Sequence, residues 1–569
     1  MNETSTAALA ALAALADEYW QTTLAANPVW ATSLGDRRFD DRLDDPSVEA
    51  RAAERRRVAS LRERADAIDP EALEADDRIT RSALIAQLAR DAAELDADLG
   101  AWSADPLEGA HILALDIESF QPVATPDHAR AMVARWNAMG PWFDAHAANL
   151  RRAAEEGRVA VRTPVERVLD ELDEVLAKPD DELPLLAPLA APHDDWPAGE
   201  RQAFAEGLRA AVRDVVRPAL ERYRAAIRDA VLPLARPDDR PGILHVPRGE
   251  GAYEQLIRLH TSLDRSAKEI HAIGLEEVAR IDAELATLGE KVLATADLPT
   301  IRQRLRSDPA LHFTTRDEVF EKAEAALARA REAIPAWFGR LPAADCAVVR
   351  IAAHEEKHST IAYYRQPAVD GSRPGQYYIN TSEPQTRPRY EAEALAYHES
   401  IPGHHLQLAI GQQLTDLPEF RRHTGPTSFF EGWGLYTERL ADEMGLYSGD
   451  LDRIGILSFD AWRACRLVVD TGMHALGWTR QQAIDFMFEH TVLAENNITN
   501  EVDRYIVWPG QALAYKLGQR EILRLREEAR TELGDRFDIR GFHDVVLGQG
   551  AVGLETLGEI VRTWVGAQG

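Results

Sequence analysis

Apolar residues recur at intervals of three and four positions through most of this chain, which is the spacing of one buried face of an α-helix. The pattern is clear at residues 129–139 and 204–231, and proline-containing breaks such as residues 178–196 separate the helical stretches. A chain of 569 residues is too long for one small core. We therefore predict a mainly α-helical fold with two lobes around a cleft, divided into an N-terminal helical region at 1–240 and a second helical region at 241–569.

The composition changes between about residues 346 and 381. Residues 347–351, 359–364 and 377–381 are short runs rich in β-branched and aromatic side chains, and Pro374 and Gly375 supply a turn. We predict a small antiparallel β-sheet here, just before the helices that carry the candidate site. An exposed edge of it, at residues 377–381, could pair with an extended peptide backbone.

Charge and composition limit the partners and the location. The net charge of −29 argues against nucleic-acid binding, because such proteins usually present a basic face. No stretch approaches the ~20 apolar residues that span a bilayer. The Ala- and Leu-rich residues 6–16 lack a preceding Lys or Arg, so we interpret them as a first helix. We expect a cytoplasmic protein with no nucleic-acid or membrane partner; its oligomeric state stays unknown.

One stretch matches the zinc-binding pattern His-Glu-x-x-His literally, at His354 to His358. The pattern works because residues i and i+4 share a helix face, so both imidazoles reach one metal ion. This copy lies between two strand-like runs, and both of its middle positions are charged. We interpret it as a solvated turn.

A second histidine segment, within the apolar residues 391–410, has better surroundings. It contains His398, Glu399, His404 and His405, with Pro402-Gly403 between the histidines. In a straight helix, residues six apart lie on different faces and ~9 Å apart along the axis. Pro402 must kink or bulge the helix, which would let His398 and His404 share a metal ion. We prefer His404 as the second ligand, and His405 is the competing one.

The third ligand is predicted 27 residues after His404, at Glu431. A catalytic zinc commonly has three protein ligands and one open position. Aromatic neighbours surround Glu431, and a metal would offset the cost of burying its lone carboxylate. Glu438, two turns further on, is either an alternative ligand or an acceptor that orients a ligand histidine.

These two segments resemble the hallmark of a bacterial family known as domain of unknown function 885. The hallmark is a His-Glu-x-x-Pro-Gly-His-His helix followed by Glu-Gly-Trp-x-Leu-Tyr-x-Glu, present here at 398–405 and 431–438. Residues 31–37, 462–474 and 504–518 match as well. The resemblance implies a gluzincin-like relative of helical zinc peptidases of the oligopeptidase and angiotensin-converting type. Those carry an uninterrupted His-Glu-x-x-His, whereas this chain has two additional residues.

Chemical roles follow for the neighbouring polar residues. Glu399 would be the general base that takes a proton from the attacking water. A donor is then needed near the developing oxyanion, and Tyr505 is our first choice and His474 our second. His543 is interpreted as a structural residue. The residues that we expect to bind substrate are Arg504, Gln511, Tyr515 and Lys516.

We therefore expect residues 241–569 to be the catalytic region of a metallopeptidase that cleaves short peptides with one zinc ion per chain. Manganese, iron or cobalt would also suit two imidazoles and a carboxylate. The alternatives are a zinc-dependent amidase acting on a non-peptide metabolite, and a catalytically inactive helical binding protein. The sequence contains no phosphate-binding loop, nucleophile elbow or dinucleotide fingerprint, so the main rival enzyme classes lack support.

Overall fold

Helices make up most of the computed structural model, which describes residues 3–352, 356, 360–368, 371 and 373–568. The first ten α-helices are α1 (Glu3–Ala26), α2 (Pro28–Ser33), α3 (Val48–Asp66), α4 (Ala75–Ala97), α5 (Leu99–Trp102), α6 (Ala110–Phe120), α7 (Pro126–Glu155), α8 (Arg162–Ala177), α9 (Ala198–Ala211) and α10 (Arg217–Ala226). Two π-helical turns, Val212–Val216 and Ile227–Val231, flank α10.

The second half contains a small sheet between two groups of helices. Its elements are α11 (Gly249–Thr261), α12 (Ala267–Leu293), α13 (Leu298–Ser307), α14 (Arg316–Ala333), β1 (Cys346–Arg350), β2 (Ala362–Arg365), β3 (Gly375–Ile379), α15 (Ala392–Glu399), α16 (His404–Gln412), α17 (Glu419–His423), α18 (Thr427–Glu443), α19 (Asp450–Leu476), α20 (Arg480–His490), α21 (Glu495–Val507), α22 (Ala514–Leu533), α23 (Ile539–Leu547) and α24 (Leu554–Ala567). The predicted mainly helical fold with one small sheet is confirmed.

The chain forms two compact units. One consists of Met1–Asp69 and Asp91–Ala252, and the other of Pro70–Arg90 and Tyr253–Gly569. The boundary between two regions that the sequence indicated at about residue 240 is a separate statement, and it stays a prediction. Among the described residues, no helix is both long enough and apolar enough to cross a membrane.

Helix α7 is central to the core of the first unit. Thr125 caps its N-terminus by accepting a hydrogen bond from the backbone N–H of His128, and Pro126 occupies its first turn, where a missing N–H costs nothing. Trp136 and Phe143 are fully buried on its inner face against α9 and α10. Burial of such large aromatic side chains supplies much of the driving force for folding of this unit.

Helix α19 runs through the core of the second unit, and every residue from Ile454 to His474 is buried. It packs along α12, where Gly274 permits a close approach: a Cβ there would lie 2.7 Å from Val468 Cγ2. A similar contact joins α18 to α22, because a Cβ on Gly432 would lie 2.5 Å from Gly518 Cα. These glycine contacts fix the helices that hold the candidate site.

The sheet is mixed, so the prediction of an antiparallel sheet is wrong for one of its two pairs. The strand order is β1-β3-β2, with β1 parallel and β2 antiparallel to β3. A parallel pair needs a long connection, which the residues between β1 and β3 supply. Since β3 is the central strand, residues 377–381 do not form an edge for peptide pairing. The His354–His358 segment lies outside the described residues, apart from Glu356.

Candidate metal centre

The predicted distortion between the two histidines is a complete break of the helix. Helix α15 ends at Glu399, and α16 begins at His404. Only glycine fits at residue 403, because a Cβ would lie 1.9 Å from the backbone oxygen of His398. Trp433 of α18 holds the turn by donating from Nε1 to the Pro402 carbonyl oxygen at 3.0 Å. The break places the rings of His398 and His404 side by side, with centroids 4.7 Å apart.

Glu431 of α18 completes a three-residue cluster. Its Oε2 lies 3.6 Å from Nε2 of His398 and 3.6 Å from Nε2 of His404. One ligand atom from each of the three residues lies within 4.8 Å of the others. Ligand atoms around a tetrahedral zinc at ~2.0–2.1 Å are roughly 3–4 Å apart, so modest side-chain adjustment would suffice to bind the ion. Two imidazoles and a carboxylate are also a donor set that zinc accepts.

Glu438 orients His398 through the ring nitrogen that does not face Glu431. Nδ1 of His398 donates to Oε1 of Glu438 at 2.8 Å, which leaves Nε2 directed toward Glu431. The carboxylate of Glu438 is fully buried on the same face of α18 as Glu431. Gly434 lies between them, and a Cβ there would lie 2.7 Å from Cε1 of His398. A carboxylate on the second nitrogen is the usual way in which a ligand histidine is fixed.

Glu431 supplies a negative charge where a cation could bind. Burial raises the pKa of Glu431, but the interactions with His398 and His404 outweigh burial and hold that pKa well below its usual range. Burial lowers the pKa of His398, and its ion pair with Glu431 and hydrogen bond to Glu438 reverse this and raise the pKa to about 9. Glu431 is therefore ionised at neutral pH, and a metal ion and protons would compete for the two imidazoles.

His405, the competing ligand, faces the sheet. Its Nδ1 accepts from the hydroxyl of Tyr364 at 2.9 Å, and its Nε2 donates to the backbone oxygen of Ala344 at 3.1 Å. Gly375 makes room for this ring, since a Cβ there would lie 2.4 Å from Nδ1. Burial lowers the pKa of His405 to about 4, in keeping with a neutral ring. The structure thus groups His404, and not His405, with His398 and Glu431.

Glu399 is the last residue of α15 and directly follows the ligand His398. Tyr377 of β3 lies near it: burial raises the pKa of this phenol well above its usual value, and the negative charge of Glu399 raises it further. The Tyr377 hydroxyl is buried and, within the described part of the chain, has no hydrogen-bond partner. Sequence reasoning missed Tyr377; its inward position in an alternating strand was the available signal.

The proposed oxyanion donors are engaged with one another. The Tyr505 hydroxyl accepts from Arg466 Nε at 2.9 Å and from Trp462 Nε1 at 3.1 Å, and it donates to Glu501 Oε2 at 2.5 Å. His474 donates from Nε2 to the backbone oxygen of Tyr505 at 2.9 Å. These contacts tie α21 to α19 in the core, and a role in catalysis stays a prediction for both residues.

The predicted substrate-binding residues are also in contact with protein groups. Lys516 is fully buried and donates to Asp460. Arg504 donates from Nη2 to Gln511 Oε1 at 3.0 Å and lies 3.5 Å from the Tyr515 hydroxyl. The buried ion pair of Lys516 favours a structural role, whereas Arg504 remains a candidate for binding substrate.

Comparison with known proteins identifies the family. The model of the family described as "Bacterial protein of unknown function (DUF885)" matches residues 28–561. The chain belongs to this family. The match spans nearly the whole chain, including every residue of the candidate centre. No curated protein matches the chain.

Two solved structures share the fold of this family member. One is a "putative lipoprotein" from Colwellia psychrerythraea, 28% identical, with a TM-score of 0.90, covering 98% of this chain and 99% of the other. The other is a "putative lipoprotein of unknown function" from Shewanella oneidensis, 18% identical, with a TM-score of 0.76, covering 96% and 99%.

The expectation of a cytoplasmic location is wrong. The 28% identical protein from Colwellia psychrerythraea is described as a "putative lipoprotein", a class anchored to membranes by lipid. The apolar residues 6–16 lie within α1, as the sequence predicted. That a segment forms a helix does not determine the compartment of the protein, and the argument from residues 6–16 therefore failed.

Proposed function

We propose that this chain is a zinc-dependent hydrolase that cleaves short peptides. One observation carries the proposal: His398, His404 and Glu431 converge within 4.8 Å, and Glu438 fixes the far nitrogen of His398. A structural zinc site usually has four protein ligands, whereas a catalytic one has three and keeps a position open. The three-residue set therefore supports a catalytic centre.

Zinc held by these three residues would polarise the scissile carbonyl and lower the pKa of a water molecule to ~7. Glu399 would accept the proton of the attacking water on its carboxylate. As the C–N bond breaks, Glu399 would return that proton to the leaving nitrogen, so that a carboxylate and an amine are the products. Glu438 would keep His398 in the tautomer whose Nε2 lone pair faces the centre.

The likeness to helical zinc peptidases supports the same proposal. Their uninterrupted His-Glu-x-x-His places both histidines on one helix face. Here the break after Glu399 compensates for the two additional residues, because it brings the His404 ring beside that of His398. We also infer an extracytoplasmic location, because the 28% identical protein is described as a "putative lipoprotein". Fractionation of native cells would test this location, and recovery only with cytosolic proteins would contradict it.

The first experiment measures metal content and peptide hydrolysis together. We expect about one zinc per chain in the parent and in His354→Ala, and little in His398→Ala. Glu399→Gln should keep its zinc but lose at least ~100-fold in kcat, because the proton acceptor is gone. His490→Ala is the matched control, since His490 is a half-buried histidine paired with a carboxylate, Asp282, elsewhere in the same unit.

Three outcomes would overturn parts of the proposal. Absence of zinc from the parent, or its loss only in His354→Ala, would remove the assigned centre. Full activity in Glu399→Gln would remove the general base. If small amides were cleaved and none of the peptides tested beside them were, the amidase alternative would be favoured.

A further inference from the structure

Arg463 of α19 is a buried cation, and part of its guanidinium lacks hydrogen-bond acceptors among the described residues. The residue is only 6% exposed, and its Nε and Nη1 are buried with no hydrogen-bond partner in the part of the chain that the structure describes. Over the same residues, no carboxylate lies within ion-pair distance of it, although the buried Glu391 and Glu438 are close enough to feel its charge. Burying a charge that lacks such a pair costs several kcal/mol, and an anionic ligand would offset part of that cost.

Aromatic rings hold this guanidinium in place. Its central carbon lies 4.2 Å from the ring of Trp462, 4.7 Å from Phe459 and 5.8 Å from Tyr515. Arg466 lies over two of the same rings, 4.4 Å from Tyr515 and 4.7 Å from Trp462. Stacking fixes the planes of both guanidiniums before any ligand arrives, which lowers the entropic cost of binding.

The nearby carboxylates are already engaged with other groups. Asp460 pairs with Lys516 and Arg439. Glu501 pairs with Arg466 at 2.8 Å. Among the described residues, Arg463 therefore keeps two buried N–H groups without an acceptor, and Arg466 keeps a buried and unpartnered Nη1.

Helix α19 is joined to two of the three helices that carry the predicted metal ligands. Ser458 donates to Glu391, at the start of α15, at 2.6 Å. Arg439 of α18 donates from Nε to Asp460 at 2.8 Å. Arg463 lies less than two turns beyond Ser458 on α19. These two bonds place the Arg463 segment beside the helices that carry His398 and Glu431.

Electrostatics agree with this placement. Burial raises the pKa of Glu438, and the charge of Arg463 opposes that rise, after the hydrogen bond from His398. Burial likewise raises the pKa of Glu391 to about 7 against the same charge. Arg463 is thus close enough to act on the carboxylate that orients His398.

We propose that Arg463, assisted by Arg466, binds a carboxylate of the substrate beside the metal centre. A guanidinium offers two parallel N–H donors that match the two oxygens of a carboxylate. The inference rests on the proposed hydrolase function and adds the substrate class: short peptides that end in a free carboxylate near the scissile bond. The same chemistry would also accept the side chain of Asp or Glu, and the experiment separates the two sources.

The test uses one tetrapeptide in four forms. The C-terminus is either a free acid or an amide, and the third residue is either Gln or Glu. Zinc-loaded parent, Arg463→Gln, Arg463→Lys and the control Arg453→Gln are compared by KM and kcat. Arg453 is a matched control because it lies on the same helix but is only half-buried and pairs with Asp442.

We expect the parent to prefer the free acid over the amide by roughly 10- to 100-fold in KM, the range for a hydrogen bond to a charged group. Arg463→Gln should abolish this preference, so that the acid and the amide peptide have the same KM. Arg463→Lys should retain part of it, because the charge remains but the fork is lost. If KM depended on Glu at the third residue and not on the C-terminal amide, the site would bind an acidic side chain of the substrate and not its C-terminus.

A binding measurement separates failure of the site from failure of the function. Calorimetry of the same peptides with Glu399→Gln, alone and combined with Arg463→Gln, needs no turnover. If the free acid bound more tightly than the amide only when Arg463 was present, and the parent cleaved neither, the carboxylate site would stand and the hydrolase function would be overturned. Cleavage by the parent without discrimination, or equal loss for acid and amide in folded Arg463→Gln, would overturn the site and keep the hydrolase. Absence of both binding and cleavage would overturn both.

Discussion

His398 is the side chain on which the candidate centre depends most, because carboxylates face both of its ring nitrogens. Glu438 accepts from Nδ1 at 2.8 Å, and Glu431 lies 3.6 Å from Nε2. The ring also lies against the backbone of α18 at Gly434. The orientation of this imidazole is therefore set by three positions on one helix.

Gly434→Ala should weaken zinc binding by about 10- to 100-fold, the usual effect of disturbing a residue that orients a ligand. The new methyl group would lie 2.7 Å from Cε1 of His398 and would push the ring out of place. Competition with a chromogenic chelator measures the affinity. Gly411→Ala on α16 is the control, since no atom lies within 4 Å of its Cβ position. Equal zinc affinity in Gly434→Ala and the parent would contradict the role of Gly434.

A second residue-scale prediction concerns acid stability. His543 accepts from the Tyr436 hydroxyl at Nε2 (2.7 Å) and donates from Nδ1 to the Trp337 carbonyl (2.8 Å), which is a fully satisfied neutral ring. Burial lowers its pKa to about 3, against ~6.5 in the unfolded chain. The unfolded state therefore binds the extra proton, and the free energy of unfolding should fall by ~2 kcal/mol between pH 6.5 and 5.

Urea unfolding of the parent and of His543→Gln over this pH range measures the effect. The variant should be less stable at neutral pH and should lose less stability on acidification. His312→Gln, at a half-buried histidine, serves as the control. Parallel pH profiles for His543→Gln and the parent would show that His543 does not cause the acid sensitivity.

The sequence was informative about residues whose chemistry is unusual for their surroundings. His398, Glu399, His404 and Glu431 stood out because polar groups in apolar helices need a reason to be there. It was less informative about residues 504–516, which are polar groups that satisfy one another in the fold. Nothing in the linear order indicates that Lys516 meets Asp460 or that Tyr505 meets Arg466.

At the scale of elements, the turn between α15 and α16 could be predicted and the direction of β1 could not. Pro402 cannot donate a helical hydrogen bond, and that local fact suffices to predict a distortion. Whether β1 runs parallel or antiparallel to β3 depends on the path of the intervening chain. Alternation of side chains indicates which faces of a strand are buried, not which way its neighbour runs.

The contact of α18 with α22 supports an element-scale prediction. A Cβ on Gly518 would lie 2.1 Å from the backbone oxygen of Ser428, so Gly518→Ala must move one helix away from the other. We expect the free energy of unfolding to drop by ~1–3 kcal/mol or more, and zinc affinity to drop because Glu431 moves with α18. Urea unfolding and chelator competition measure the two effects.

Gly566→Ala on α24 is the control, because no atom lies within 4 Å of its Cβ position. If Gly518→Ala lost stability but bound zinc as tightly as the parent, the link between helix packing and the centre would be wrong.

At the scale of the whole molecule, every predicted ligand belongs to the second unit. Zinc should stabilise that unit by ~2.7 kcal/mol when free zinc is 100 times its Kd. Scanning calorimetry should show a higher Tm for the transition of this unit, reversed by a chelator. In His398→Ala zinc should leave the Tm unchanged; an equal rise in the variant would place the stabilising zinc elsewhere.

Helix α18 carries both Glu431, which faces the centre, and Glu438, which orients His398. A rigid helix cannot slide or turn to improve one of these contacts without degrading the other. Variants of α18 should therefore either keep the affinity for zinc or lose it, and few should have an intermediate affinity. For an engineer who wishes to change the metal preference, the practical route is through the separate turn that carries His404, which can be reshaped while α18 stays in register.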